Sequence, residues 1–188
     1  ASDVYKRQVS KTVKFLVLIA HSLFPPGGAY SIIPEESILS YNVSFISLGC
    51  AKNQVNCEQM MALCAEAGYS IQAQPEGCDV VVVNTCGFLA SACEEAIENI
   101  LEMAELKKAG QVKKILVTGC MTQRYKEDIF HELPEVDGLL GTGSYGDIAT
   151  AIAEVMEKGE KPCHLGNIHT ANQSGERILS TPPRYASL

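Results

Sequence analysis

Three short apolar segments, each followed closely by a turn with one cysteine, constrain the fold of this chain more than any other feature. The segments span residues 43–48, 80–83 and 115–117, and their cysteines are Cys50, Cys86 and Cys120. Each cysteine is followed by a stretch with helical periodicity. Repeated strand, turn and helix predict an α/β fold with an open, mostly parallel sheet and flanking helices, a three-layer arrangement of the flavodoxin or Rossmann type.

These three cysteines are expected at the carboxyl ends of their strands. In open parallel sheets, ligands bind beyond those ends. The three thiols can therefore converge although they are far apart in sequence. A free cysteine is most often a small buried apolar residue. That interpretation is expected for the cysteines in periodic segments, at a strand start or in the tail: Cys57, Cys64, Cys78, Cys93 and Cys163.

The thiols at the strand ends favour an iron–sulfur cluster over the other common cysteine sites. Structural zinc takes four ligands, commonly from Cys-x-x-Cys pairs, and redox-active thiols share that spacing. The sequence has no Cys-x-x-Cys. Three thiolates without an obvious fourth suit a cubane cluster with one iron left open. A small sulfur ligand or a substrate could bind that iron.

Four ordered motifs resemble the amino-terminal domain of the radical-SAM methylthiotransferases. They are SLGCAKN at 47–53, NTCGF at 84–88, TGCMTQRY at 118–125 and ELPEVD at 132–137. The resemblance runs from about residue 43 to 185. Lys52-Asn53 and Cys86-Gly87-Phe88 resemble the RimO branch rather than the MiaB branch. Asn56 and Cys57 depart from that branch, which usually has Asp-Ser there.

The resemblance implies a division of labour. Cys50, Cys86 and Cys120 would bind an auxiliary 4Fe-4S cluster, whose open iron carries the sulfur for an aspartate of a small-subunit ribosomal protein. A second 4Fe-4S cluster, on a Cys-x-x-x-Cys-x-x-Cys loop, would cleave S-adenosylmethionine. These 188 residues lack that loop. The chain is therefore expected to be an inactive fragment of a methylthiotransferase, and no catalytic residue is assigned in it.

Two alternatives stay open at this point. One is a tRNA adenosine methylthiotransferase of the MiaB type. The other is a stand-alone iron–sulfur or sulfur-carrier module. A net charge of −7 makes direct nucleic-acid binding by this domain unexpected. Besides the ribosomal protein, sulfur-delivery proteins are candidate partners, and reduced thiols predict a cytoplasmic protein.

The chain is predicted to comprise a non-native or disordered leader at 1–42, the cluster-binding domain at 43–159 and a linker at 160–188. The apolar run at 14–20 is too short to span a membrane. Within the domain, a helix at 54–67 should be capped by Asn53, and a second helix by a capping box of Ser91 and Glu94. A third helix is expected at 123–133, and an edge strand at 136–140.

Overall fold

The structure, a computed structural model, describes residues 40–168 and 175–180. Residues 1–39 of the predicted leader lie outside the described residues, as do 169–174 and 181–188 of the predicted linker. Within the described ranges, no helix has both the length and the apolar character needed to cross a membrane.

The described residues form six strands, and a helix separates every consecutive pair except the second and third. The strands are β1 (Asn42–Ser47), β2 (Ser70–Gln72), β3 (Cys78–Thr85), β4 (Val112–Gly119), β5 (Gly138–Gly143) and β6 (Cys163–Gly166). The α-helices are α1 (Ala51–Glu66), α2 (Ala90–Lys108), α3 (Cys120–Tyr125), α4 (Asp128–Glu132) and α5 (Ile148–Ala153). A 3-10 turn at Tyr145–Asp147 precedes α5, and a π-helical turn at Glu154–Lys158 continues it.

All six strands run parallel in the order β2-β1-β3-β4-β5-β6. The predicted open α/β architecture is confirmed. The order reverses between β1 and β3, which is the position where doubly wound sheets open a crevice for ligands. Two of the three turn cysteines follow these two strands.

The four valines of β3 explain the three layers. Val81 and Val83 pack with α2, α3 and α4 on one face of the sheet. Val80 and Val82 pack with α1 and α5 on the other face. Alternate side chains of a strand point to opposite faces, so an unbroken apolar run is what a strand covered on both sides requires.

Two predicted helix caps are wrong. Helix α1 begins at Ala51 with Cys50 as its N-cap, and Asn53 is a buried residue inside the helix. Helix α2 begins at Ala90 with Leu89 as its N-cap, so Ser91 lies inside the first turn and makes no capping bond. In both cases the helix begins before the polar residue that was expected to cap it, because the preceding strand and loop determine where the helix starts.

The buried stripe of α2 is narrow. Ile100 and Ala104 are buried, whereas Ile97 and Leu101 remain 39% and 45% exposed. The buried stripe covers only the side of α2 that meets the sheet. Ile97 and Leu101 instead line a groove between α2 and the pair α3 and α4.

The carboxyl-terminal half differs from expectation in two places. The helix predicted at 123–133 is two short helices, α3 and α4, because Lys126 between them has a left-handed φ of 51°. Strand β5 is interior rather than an edge, because Cys163–Gly166, within the predicted linker, pairs with it as β6. The sheet thus continues beyond residue 159.

The chain on either side of the predicted domain also contacts it. At the start, the ring of Tyr41 packs 5.6 Å from that of Tyr69. Near the end, the backbone N–H of Ser180 donates to the buried Glu58 carboxylate at 3.0 Å. Residues just outside 43–159 therefore make contacts that order this unit.

Candidate metal centre

The strand register brings two of the predicted cysteines side by side. Thr85, the last residue of β3, pairs with Gly119, the last residue of β4. Cys86 and Cys120 directly follow these two residues in the chain. Neighbouring strands lie about 4.8 Å apart. Because Ser47 of β1 pairs with Asn84 of β3, Cys50 leaves the same edge of the sheet three residues later. All three sequence-predicted cysteines therefore lie at one edge.

Glycines let the three turns approach each other. Gly49 has a φ of +92°, and a Cβ there would lie 2.6 Å from Cys86 Cβ. A Cβ on Gly87 would lie 2.7 Å from the backbone of Met121, next to Cys120. Any side chain at either position would push two cysteine-bearing turns apart.

Asn53 holds the first two turns together. Its Nδ2 donates hydrogen bonds to the carbonyl oxygens of Leu48 and Thr85, each at 3.0 Å. Asn84 Nδ2 donates to the carbonyl oxygen of Asn53 at 2.6 Å. The thiol of Cys120 lies 3.9 Å from Asn53 Oδ1 and is oriented to donate to it. One buried amide thus contacts all three strand ends.

Two further contacts fix the loop after β3. Arg124 Nη1 donates to the carbonyl oxygen of Gly87 at 3.0 Å, which ties this loop to α3. The Cys93 thiol donates to the carbonyl oxygen of Cys86 at 3.7 Å. The sequence predicts Cys93 to be a small buried apolar residue. In the structure its thiol contacts the loop that carries Cys86.

A cavity of about 440 Å³ opens at this edge. Cys50 and Cys120 line it, whereas Cys86 does not, and Gln123, Thr142 and Tyr145 are also among the lining residues. Two cations, Lys52 and Arg124, also line it, and no carboxylate does so among the described residues. In a chain with a net charge of −7, this cavity is locally positive.

Proximity among the thiols is visible in the pKa of Cys120. Burial raises the pKa of this thiol, and negative charge on Cys86 or Cys50 would raise it further. The backbone hydrogen bond from Gly87 and the charge of Lys52 act in the opposite direction. Bringing three thiolates together thus costs energy that a bound cation would offset.

The remaining cysteines differ from these three in their surroundings. Cys57, Cys64 and Cys78 are buried in the core, as predicted. Burial raises the pKa of the Cys57 and Cys64 thiols to about 12. Such thiols stay protonated at neutral pH, and protonated thiols are poor metal ligands.

The donor set fits an iron–sulfur cluster. Within residues 40–168 and 175–180, no three His, Cys, Asp or Glu side chains are grouped to hold a single metal ion. A cubane binds each thiolate through a different iron, so its ligands are spread over several ångströms. Three thiols at one edge, with close glycine backbone and nearby cations, are compatible with such a cluster.

The edge also carries a glycine pattern that resembles a nucleotide-binding loop. Gly141 and Gly143 at the end of β5 and Gly146 in the turn before α5 have the spacing G-x-G-x-x-G. A Cβ on Gly141 would lie 2.1 Å from Gln123 Oε1, and one on Gly143 would lie 2.8 Å from the backbone of Gly166. The space beside the first two glycines is therefore filled by other parts of the protein rather than left open for a phosphate. The pattern does not support a nucleotide site.

Sequence reasoning missed several residues of this edge. Asn53 was interpreted as a cap, and neither Gln123 nor Tyr145 was assigned a role. The only local indication that Asn53 belongs to this edge is its position in the first turn of the helix that follows β1. For Tyr145 the signal would have been its place two residues after β5, at the edge that carries the cysteines.

Comparison with known proteins extends these observations. Residues 42–141 match the model of the Uncharacterized protein family UPF0004. The ribosomal protein uS12 methylthiotransferase RimO of Syntrophomonas wolfei is 45% identical over 148 residues, which are 78% of this chain and 34% of that protein. The RimO protein of Lachnoclostridium phytofermentans is 53% identical over 145 residues, or 77% of this chain and 33% of that protein.

The chain thus spans about a third of the length of the curated relatives it matches. The resemblance to the methylthiotransferases is confirmed, since the matched segments contain all three cysteine-bearing turns and the relatives bear the RimO name. With over half of its residues matched by the family model, the chain belongs to the Uncharacterized protein family UPF0004.

Proposed function

We propose that this chain is the sulfur-supplying part of a methylthiotransferase that modifies ribosomal protein uS12. Cys50, Cys86 and Cys120 would hold an auxiliary 4Fe-4S cluster at the carboxyl edge of the sheet. The observation that carries the proposal is the position of these three thiols at a single edge, next to a locally positive cavity. The names of the RimO relatives support the reaction.

When bound, such a cluster supplies an open iron to which a transferable sulfur group can attach. The protein's own residues position the three turns and supply positive charge beside them. Asn53 fixes the separation of the first two turns, and Gly49 lets them approach. Lys52 and Arg124 place positive charge beside a centre that gains negative charge with each thiolate.

The proposed target is an aspartate of uS12, and the chain's negative net charge fits a protein target better than a nucleic acid. A ribosomal target also places the activity in the cytoplasm. A sulfur-delivery protein would be needed to renew the transferred sulfur. Cleavage of S-adenosylmethionine would require a second cluster, for which these 188 residues have no Cys-x-x-x-Cys-x-x-Cys loop.

The direct test is anaerobic reconstitution with iron and sulfide. The wild-type chain should bind about four irons and four sulfides. Cys50→Ser, Cys86→Ser and Cys120→Ser should each lose most of this cluster. Cys57→Ser and Cys64→Ala are the matched controls and should keep it. Equal iron loss in a control variant would contradict the ligand assignment.

A chimera tests the reaction. The segment 42–168 would replace its counterpart in the Lachnoclostridium phytofermentans relative, and a uS12 peptide would be analysed by mass spectrometry for an added methylthio group. The same chimera with Cys86→Ser should be inactive. Modification of a tRNA adenosine in place of the peptide would support the MiaB alternative.

The chain alone should not generate radicals. With the reconstituted chain, S-adenosylmethionine and a strong reductant, 5′-deoxyadenosine should stay at the level of a cluster-free control. Turnover above that control would refute the proposed division of labour, because this cluster would then be cleaving S-adenosylmethionine itself.

A further inference from the structure

Tyr145 presents a buried polar group that the fold does not use. Its hydroxyl is shielded from solvent and has no hydrogen-bond partner among the described residues. The amide of Asn56 lies beside it, yet without the geometry of a hydrogen bond. Buried hydroxyls normally have a partner, because leaving one unpaired is energetically unfavourable.

A second unpaired oxygen belongs to another residue that lines the same cavity. Gln123 Oε1 is buried without a partner among the described residues, and Gln123 lines the cavity together with Tyr145. The two side chains come from different elements, α3 and the turn after β5. Two residues with unsatisfied polar groups thus line one cavity, which indicates a ligand that the chain itself does not supply.

The charge of the cavity indicates the class of ligand. Lys52 and Arg124 line it, and none of the described residues that line it is acidic. A volume of about 440 Å³ exceeds that of a few water molecules. The cavity therefore has room for a group beyond the three thiols, and its charge favours an anion.

We infer that the Tyr145 hydroxyl donates a hydrogen bond to a small anionic sulfur ligand, such as hydrosulfide or an alkyl thiolate, in the cavity beside Cys50 and Cys120. The inference rests on the proposed function, because that ligand would be held at the open iron. Tyr145 is then a positioning residue for the transferable sulfur. Lys52 and Arg124 add attraction that does not depend on the identity of the anion.

Tyr145→Phe separates this role from a structural one. The variant keeps the ring and removes only an oxygen that has no partner among the described residues. The apo variant should therefore be as stable as the wild-type chain in urea unfolding, or slightly more stable. Iron and sulfide content after reconstitution should also match the wild type. A clear loss of apo stability would mean that the hydroxyl has a structural partner, and it would overturn the inference.

The decisive measurement is a titration of each reconstituted protein with methanethiolate, followed by the electron paramagnetic resonance of the reduced cluster. Tyr145→Phe should raise the dissociation constant roughly 10- to 100-fold, the range for a hydrogen bond to a charged group. Tyr125→Phe is the matched control, since Tyr125 is exposed and lines the other groove. It should bind like the wild type.

The outcomes distinguish the two proposals. Equal affinities of the wild type and Tyr145→Phe, with full clusters in both, overturn the inference and leave the proposed function intact. A wild-type chain that binds no cluster through its three cysteines overturns both. Full clusters, unchanged apo stability and weakened thiolate binding in Tyr145→Phe alone support both.

Discussion

The side chain of Asn53 donates a hydrogen bond to the carbonyl oxygen of Thr85 over 3.0 Å. This bond joins the first turn of α1 to the end of β3, and the residue after Thr85 is Cys86. The same nitrogen also donates to the carbonyl oxygen of Leu48, two residues before Cys50. One amide group therefore sets the distance between two of the three thiols.

Replacing Asn53 with alanine should destabilise the chain and weaken its hold on iron. The buried carbonyl oxygen of Thr85 and the partly buried one of Leu48 would lose their donor, at a cost of about 1–3 kcal/mol in the free energy of unfolding. Urea unfolding and iron counting would measure both effects. Asn99→Ala is the control, because Asn99 makes an exposed bond to Glu95 within α2. Unchanged stability in Asn53→Ala would show that this bond does not hold the turns.

Gly49→Ala should lose the cluster more severely than it loses stability. The added Cβ would lie 2.6 Å from Cys86 Cβ, and the φ of +92° already disfavours a side chain. The control is Gly110→Ala, at a φ of +74° with no atom within 4 Å of the added carbon. Both variants should lose about 1 kcal/mol or more through backbone strain, but only Gly49→Ala should show reduced iron content. Equal iron content in the two variants would contradict the proposed close approach of these turns.

The apo chain should lose stability in alkali through Cys57 and Cys64. Burial raises the pKa of both thiols to about 12 in the folded chain, from an ordinary value of 9.0. An acid with a raised pKa stabilises the fold below its unfolded value and loses that contribution as the pH rises to its folded value. The loss should thus fall between about pH 9 and pH 12, and reach at most about 4 kcal/mol for each thiol.

Urea unfolding of the apo chain across this pH range would measure the loss. The Cys57→Ala, Cys64→Ala double variant starts from a lower stability at neutral pH, because it leaves small cavities. Its decline between pH 9 and pH 12 should nevertheless be shallower than that of the wild type. Parallel curves would show that these thiols do not govern the alkaline response.

Glu58 should hold the segment at 177–180 against α1. Its carboxylate accepts hydrogen bonds from the backbone N–H and the hydroxyl of Ser180, at 3.0 and 2.8 Å. Arg177 lies 3.8 Å from the same carboxylate. In Glu58→Ala, trypsin should cleave after Arg177 several times faster. Glu102→Ala, at an exposed position on α2, should leave the cleavage rate unchanged. An unchanged rate in both variants would show that Glu58 does not hold this segment.

Local sequence was sufficient for the three strands that precede the cysteines, because the apolar runs that identify them are continuous in the chain. An unbroken run of valines is typical of a strand buried on both faces, and this pattern at 80–83 identifies the centre of β3, which the structure extends to Cys78–Thr85. In a parallel sheet every strand ends at the same edge, so the turn that follows each strand lies at that carboxyl edge. For that reason the positions of Cys50, Cys86 and Cys120 in the sequence were enough to propose them as a group.

Helix ends and the outer strands were less accessible to sequence. Asn53 and Ser91 have the chemistry of caps, yet both lie inside helices whose starts the preceding loops decide. Strand β6 is only four residues long and half-buried, so its sequence carries little apolar signal. It becomes a strand because β5 offers it an unpaired edge.

By itself, the sequence determined the alternation of strands and helices and the placement of one thiol at each of three strand ends, because apolar runs and turn residues act over a few positions. Only the tertiary structure decided what surrounds those thiols. Asn53 reaches Thr85 from 32 positions away, and Tyr145 enters the cavity from the turn after β5. Such contacts depend on strand order and register, which are set by the packing of the whole core rather than by any short segment.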